Sequence, residues 1–225
     1  MKVVAVIPCY NEAEHIGDVV TRSLKYCDEV VVSDGNSTDE TMQVAAAAGA
    51  TILPAMYPEM GYGLGIRCGI NHVLAYKNAD IVVMLDGDGQ HDPDDIPAMI
   101  APIIEDKADI VMGSRLAKSN MPSYRRFGNK VLTIICNYGA EFQPEDAMTG
   151  FWAMRESSIP ILTERTWGMA VELLIKSRLA RKRIVEVPIN CIYHDKYSDN
   201  STVQPVNLGL NLIWYILKWR IRCRS

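Results

Sequence analysis

The sequence predicts an α/β fold, a mostly parallel central sheet with helices on both faces, and three observations carry that prediction. Short apolar runs at Val3-Val4-Ala5-Val6-Ile7, Val30-Val31-Val32 and Ile81-Val82-Val83-Met84-Leu85 lack the alternation of a half-exposed strand and read as strands covered on both sides. Segments of helical spacing separate them, which predicts right-handed βα crossovers. Polar loops follow the strands, as in open α/β sheets that bind ligands at the carboxyl edge.

In chain order, the first strand is stopped by Pro8, and a helix from near Glu12 carries Ile16, Val19, Val20 and Leu24 at helical spacing. Val30-Val31-Val32 runs into Ser33-Asp34-Gly35-Asn36-Ser37-Thr38-Asp39, then an Ala-rich helix ends at Gly49. Thr51-Ile52-Leu53 is a short third strand. Gly61-Tyr62-Gly63-Leu64-Gly65 reads as a flexible loop opening a helix to about Tyr76; it matches neither the dinucleotide fingerprint nor the P-loop. After the acidic strand end at Asp86, a helix starts near Asp94, and Asp109-Ile110-Val111-Met112 is a further strand. Residues 122–182 look mainly helical, Ile184-Val185-Glu186-Val187 is a late strand, and a helix occupies about 206–225.

Composition bounds the function. The 225 residues are 48% hydrophobic and 22% charged, so a single domain spanning 1–225 is the simplest expectation. A net charge of −4 disfavours nucleic acid as a partner, because phosphate-backbone binding needs a basic face. The six cysteines show no metal-ligand or redox spacing and fit free thiols. With no leader pattern and no run of roughly 18 apolar residues, a cytoplasmic catalytic body is expected.

The richest segment is Leu85-Asp86-Gly87-Asp88-Gly89-Gln90-His91-Asp92-Pro93. Two carboxylates separated by one small residue at a strand's C-terminal end suit a hard divalent cation held against a diphosphate, with Gly87 and Gly89 leaving room for the ligand. The competing interpretation is an acidic turn that caps the next helix. Pro8-Cys9-Tyr10-Asn11-Glu12 offers a ring for a base and a carboxylate for base or ribose donors, and Asp34 could take ribose hydroxyls. Asp34 and Asp39 are also good turn and cap residues. His91 is expected to bond locally, and Phe151 and Trp152 to pack.

The ordered set Ile7-Pro8-Cys9-Tyr10-Asn11-Glu12, Asp34-Gly35-Asn36-Ser37-Thr38-Asp39, Gly63-Leu64-Gly65, Leu85 to Pro93, Gly113-Ser114-Arg115, Thr149-Gly150-Phe151 and Glu186-Val187-Pro188 resembles the family 2 glycosyltransferases. It is most similar to their polyprenyl (dolichyl) phosphate hexosyltransferase branch. The resemblance implies a GT-A-like nucleotide-binding fold, a sugar nucleotide donor (GDP-mannose or UDP-glucose), a Mg²⁺ or Mn²⁺ cofactor, a polyprenyl phosphate acceptor and inversion at the anomeric carbon. It places Pro8, Tyr10, Asn11, Glu12, Val32, Asp34, Asp86 and Gly87 at the nucleotide, and Asp86, Asp88 and Gln90 at the metal. Arg115 and Arg126 fall at the acceptor phosphate, with Arg125 an alternative to Arg126. Asp88, Arg115 and Asp146 are the catalytic candidates.

An arginine fork suits phosphate because it is always charged and bonds two oxygens at once. A lipid phosphate is already an anion and needs positioning more than a base; a hydroxyl acceptor would need one, with Asp146 or Glu172 the candidates. A nucleotidyltransferase and a non-catalytic sugar-nucleotide-binding module stand as the other classes. Ile192-Tyr193-His194-Asp195-Lys196-Tyr197-Ser198 departs from the family's donor-covering motif, which leaves the donor open. The C-terminal segment, with Trp214, Tyr215 and Trp219 followed by basic residues, suits either an interfacial helix on a membrane surface or a helix packed on the domain.

Overall fold

A computed structural model describes residues 1–55, 62–76, 78–119, 121–166, 168–193 and 205–222. Its strands are β1 (Val3–Cys9), β2 (Glu29–Asp34), β3 (Thr51–Leu53), β4 (Ile81–Met84), β5 (Ile110–Ser119), β6 (Trp152–Arg155) and β7 (Ile184–Cys191). Its helices are α1 (Ile16–Ser23), α2 (Thr41–Ala47), α3 (Tyr62–Tyr76), α4 (Ile96–Ile104), α5 (Ser123–Asn137), α6 (Met169–Leu179) and α7 (Pro205–Arg222). The strands form one seven-stranded sheet in the order β3-β2-β1-β4-β6-β5-β7. Every pairing is parallel except the two made by β6.

Residue alternation along the strands divides the core. Ala5, Ile7, Val30, Val32, Ile81 and Val83 meet α1, α2 and α4 on one face. On the other, Val4, Val6, Val31 and Val82 meet Val73 of α3, while Met84, Ile110, Met112, Trp152 and Met154 meet α3, α5, α6 and α7. The expected layers of helix on both faces are therefore present.

Three local expectations change. Pro8 does not stop β1, which continues to Cys9. Val6 faces β4, its carbonyl accepting from Leu85 N–H, and Cys9 faces β2, its carbonyl accepting from Gly35 N–H. Pro8 shares the parity of Val6, so its missing donor points to the side where β4 has already ended, a position where proline costs no ladder bond. Gly63, Leu64 and Gly65 lie inside α3 and are buried rather than forming a loop; residue 61 is outside the described set. Finally, 122–182 is not mainly helical, since β6 inserts antiparallel between β4 and β5.

Helix α7 packs on α5 and α6 through Ile216 and Trp219, both buried, and the Tyr215 ring lies where Gly168 has no Cβ. Lys218 Nζ donates to Glu164 Oε2 at 2.6 Å. The same helix leaves Leu210, Trp214, Leu217 and Ile221 exposed, a stripe at helical spacing. No helix among the described residues is long and apolar enough to cross a membrane.

Candidate functional site at the carboxyl edge of the sheet

The loops after β1, β2 and β4 converge at the carboxyl edge, and the first two are tied together by their own side chains. Asn11, at φ 56°, accepts from Thr38 N–H at 2.8 Å through Oδ1, and its own N–H donates to Ser37 Oγ at 2.9 Å. Asp34 is buried and accepts from the N–H groups of Asn36 (3.1 Å) and Ser37 (3.0 Å) and from the Ser37 hydroxyl (2.5 Å). Asp39 accepts from Thr41 N–H at 3.0 Å, the first residue of α2, and from Ala13 N–H at 3.2 Å. Asp39 is thus the cap expected of it. Asn11 and Asp34 both organise the loops, an arrangement that presents the half-exposed Tyr10 ring and Glu12. Val32 is fully buried in the β2 core, so its side chain cannot meet a nucleotide.

The two halves of the acidic segment differ in what engages their carboxylates. Asp92 accepts from Asp94 N–H at 3.1 Å, and both aspartates bind Arg22 of α1, so this half is a helix-start cap with an ion pair. Asp86 and Asp88 stay at the open edge. Asp88 Oδ1 accepts from Gln90 N–H at 2.9 Å. Burial, followed by the neighbouring Asp86 charge, pushes the Asp88 carboxyl up to about 8. Two close carboxylates in a half-buried position fit a divalent cation, which relieves that repulsion. Among the described residues no group of three or more His, Cys, Asp and Glu side chains could hold a metal ion. Gln90 takes part through its backbone, its N–H donating to Asp88 and its carbonyl accepting from Ile192 N–H. Gly87 also packs tightly on the core: an added Cβ would stand 3.1 Å from Ile16 Cδ1 and 3.2 Å from Cys9 Cβ.

Asp86 is held from three sides. Tyr62 Oη donates to Asp86 Oδ1 at 3.0 Å, and burial, reinforced by the Asp86 charge, raises that phenol well above its ordinary value, keeping it a donor. Asp86 N–H donates to His91 Nδ1 at 3.2 Å, which fixes a neutral imidazole whose pKa burial lowers. His91 therefore bonds locally, as expected. Gly150 closes the third side, since a Cβ there would stand 2.8 Å from Asp86 Oδ2. This approach follows from β6: being antiparallel, it starts where β4 ends, with Trp152 opposite Met84. Phe151 and Trp152 are fully buried packing residues.

Arg115, beyond the end of the regular β5–β7 register, is already engaged as a fork. Its Nε and Nη2 donate to Asp146 Oδ2 and Oδ1 at 2.7 and 2.9 Å, and Nη2 also donates to Met148 O at 3.0 Å. Asp146 is fully buried and accepts further from Asn129 Nδ2 at 2.9 Å, while its N–H donates to Glu186 Oε1 at 2.8 Å. Burial raises the Asp146 carboxyl, but the Arg115 charge and hydrogen bonds outweigh it and hold the group below its ordinary value. That corrects Asp146 as a candidate base: it positions Arg115. Glu172 is likewise committed, accepting from Thr163 N–H, Thr163 Oγ1, Glu164 N–H and Lys176 Nζ. Arg126 is exposed, whereas the Arg125 guanidinium lies 5.7 Å over the Tyr193 ring, whose hydroxyl is 3.5 Å from Arg115 Nη1. The structure thus joins Arg125, not Arg126, to Arg115. Residues 194–198 of the departing motif lie outside the described set.

Comparison with known proteins identifies the family and the fold. The family described as Glycosyl transferase family 2 matches residues 4–177. The chain belongs to that family. It is 29% identical over 236 residues to a UDP-N-acetylglucosamine–dolichyl-phosphate N-acetylglucosaminyltransferase of Methanococcus voltae, covering 94% of this chain and 93% of the relative. It is 27% identical over 236 residues to a dolichol-phosphate mannosyltransferase of Pyrococcus furiosus, covering 97% of this chain and 64% of that one. Among solved structures, glucosyl-3-phosphoglycerate synthase from Mycobacterium tuberculosis, in complex with Mn²⁺, UDP-glucose and phosphoglyceric acid, superposes with a TM-score of 0.72 at 20% identity, covering 99% of this chain and 79% of that chain. The fold is that of the GT-A glycosyltransferases, and this glycosyltransferase has its carboxylate pair and Arg115 at the carboxyl edge of the sheet, where open α/β sheets in general bind ligands.

Sequence reasoning missed Tyr62, Tyr193 and the strand β6. Tyr62 lies between glycines that look like a loop, and only the course of α3 over β4 brings its hydroxyl to Asp86.

Proposed function

We propose that this glycosyltransferase transfers a sugar, with inversion, from a nucleotide donor held through a divalent cation at Asp86 and Asp88 to the phosphate of a polyprenyl phosphate. The observation that carries the acceptor assignment is the state of the two carboxylates that a hydroxyl acceptor would need as base. Asp146 is locked on Arg115 with a depressed pKa, and Glu172 is fully hydrogen-bonded. An acceptor that is already an anion needs neither. The names of the relatives that act on dolichyl phosphate support the same choice.

In the reaction an acceptor phosphate oxygen attacks the anomeric carbon, and the bond from that carbon to the diphosphate breaks with its electron pair leaving on the nucleoside diphosphate. The cation, when bound, supplies positive charge to the departing diphosphate. Asp86, oriented by Tyr62, His91 and Gly150, and Asp88 hold it. Tyr10 and Glu12 line the nucleoside side. Arg115, fixed by Asp146, and Arg125 present positive charge to the incoming phosphate.

The test is turnover of radiolabelled GDP-mannose, UDP-glucose and UDP-N-acetylglucosamine with a short polyprenyl phosphate, the matching neutral polyprenol and 3-phosphoglycerate. Transfer to the polyprenyl phosphate alone, abolished by chelator and by Asp88→Asn, is expected. Undiminished turnover in chelator overturns the cation assignment, and transfer to either hydroxyl acceptor instead overturns the lipid phosphate.

A further inference from the structure

Helix α5, whose first turn the sequence placed at the acceptor phosphate through Arg126 or Arg125, carries a second exposed apolar stripe. Tyr124, Phe127, Val131, Ile134 and Tyr138 recur at intervals of three and four residues, so they share one helix face, and all are exposed, Phe127 at 72% and Ile134 at 60%. The opposite face of α5 is buried through Leu132, Thr133 and Cys136. Helix α7, packed against α5, presents its own exposed stripe containing Trp214. Exposed apolar side chains aligned at helical spacing on two helices that pack together mark an interaction surface rather than scattered surface residues.

We infer that α5 and α7 together form a docking face for an anionic lipid leaflet, and that this face delivers the acceptor to the site. Charge decides the occupant. The α5 sequence carries Arg125, Arg126 and Lys130, that of α7 carries Lys218, Arg220 and Arg222, and neither contains an acid, in a chain whose net charge is −4. Lys218 is paired with Glu164, while the exposed Arg126 and Lys130 of α5 are complementary to anionic headgroups. A second copy of the chain would set like charges against each other across the same face. Aromatic side chains beside basic ones suit the headgroup region. Continuity gives the face its purpose, resting on the proposed lipid phosphate acceptor. The first turn of α5 holds Arg125 on Tyr193, next to Arg115, so a lipid whose chain stays in the leaflet can present its phosphate there.

The experiment is co-sedimentation of the full chain with vesicles of phosphatidylcholine alone and with phosphatidylglycerol, at low and high salt, for wild type, Phe127→Glu/Ile134→Glu and Trp214→Glu. The substituted side chains are exposed, and thermal unfolding checks that the fold is kept. Wild type should bind the anionic vesicles and weaken with salt, since headgroup attraction is screened. The α5 double variant should partition at least ten-fold less, and Trp214→Glu should also lose binding. Binding by the α5 variant equal to wild type overturns the role of α5, and a wild type that ignores vesicles overturns the docking face. A lipid-free dimer that the α5 variant dissociates, without vesicle binding, assigns the face to self-association instead. Vesicle binding needs neither donor nor acceptor. Loss of binding by the variant alongside no transfer to polyprenyl phosphate therefore sustains the face and refutes the acceptor. Transfer to a short soluble acceptor without vesicle binding does the reverse.

Discussion

Asp146 and Tyr62 do their work through other residues, and each makes a prediction that separates positioning from catalysis. Asp146→Asn leaves Arg115 buried beside a neutral amide, and breaking a buried pair in this way costs roughly 3–5 kcal/mol. Because the folded Asp146 carboxyl lies below its ordinary value of 3.8, the stabilisation is full above that value and is lost as pH falls through the folded one. The melting-temperature gap between wild type and variant should therefore stay constant from pH 5 to 8 and narrow only in acid. Thermal unfolding across pH measures it, and an unchanged melting temperature with abolished turnover would instead make Asp146 a base. Tyr62→Phe removes the hydroxyl that orients Asp86, and loss of such an orienting partner typically weakens metal affinity about 10–100-fold. Turnover titrated against Mn²⁺ should show a raised half-saturation with the rate restored at excess cation. A variant with wild-type cation dependence would refute the positioning role.

At the scale of elements, the parallel half of the fold was legible because its signals are local. Val3 to Ile7 and Ile81 to Leu85 are buried on both faces and read as unbroken apolar runs, and the loops after them hold the polar residues. Strand β6 was not legible, because Trp152-Ala153-Met154-Arg155 is only four residues long and lacks the unbroken β-branched run of the parallel strands. A short apolar run of that kind is equally a piece of helix until its partners are known. The carboxylate pair was legible as a pair, whereas the commitment of Arg115 to Asp146 depends on a contact across 31 residues. Similarly non-local is the clasp at the start of β5 and β7. Arg183 donates from Nη2 to Asp109 Oδ1 and to Asp106 Oδ1, both at 2.8 Å, and from Nη1 to Asp106 O at 2.6 Å. Hydrogen bonds from Arg183 hold both carboxyls below their ordinary values. Their contribution is thus present above the ordinary carboxylate range and is lost as pH falls through the depressed values. Arg183→Met should lower the melting temperature by a few degrees near neutral pH, with the difference shrinking as pH falls below the ordinary carboxylate range. A difference that persists in acid would mean the arginine acts through packing alone.

For the whole molecule, the decisive question is whether α7 is an appendage or part of the core. Its sequence allowed both, because an apolar helix ending in basic residues describes either a membrane-surface segment or a packed helix. The structure divides the roles by face: Trp219 and Ile216 are buried against α5 and α6, while Trp214 is 64% exposed on the other side. Lys176 Nζ lies 4.7 Å over the Trp219 ring, and Lys218 binds Glu164, so the inner face is fastened to α6 and to the segment before it. Removing a buried tryptophan side chain typically costs about 3–5 kcal/mol, and in a chain of this size each kcal/mol moves the melting temperature by roughly 2–4 °C. Trp219→Ala should therefore lower the melting temperature by roughly 6–20 °C, whereas Trp214→Ala should move it by no more than about 2 °C. Vesicle binding should respond in the opposite order among molecules that remain folded. Deleting residues 208–225 should then give an unstable protein that binds a hydrophobic dye such as ANS, because it uncovers the core face shared with α5 and α6. A truncated chain that melts like the full one would return α7 to the status of an appendage and leave the catalytic sheet complete without it.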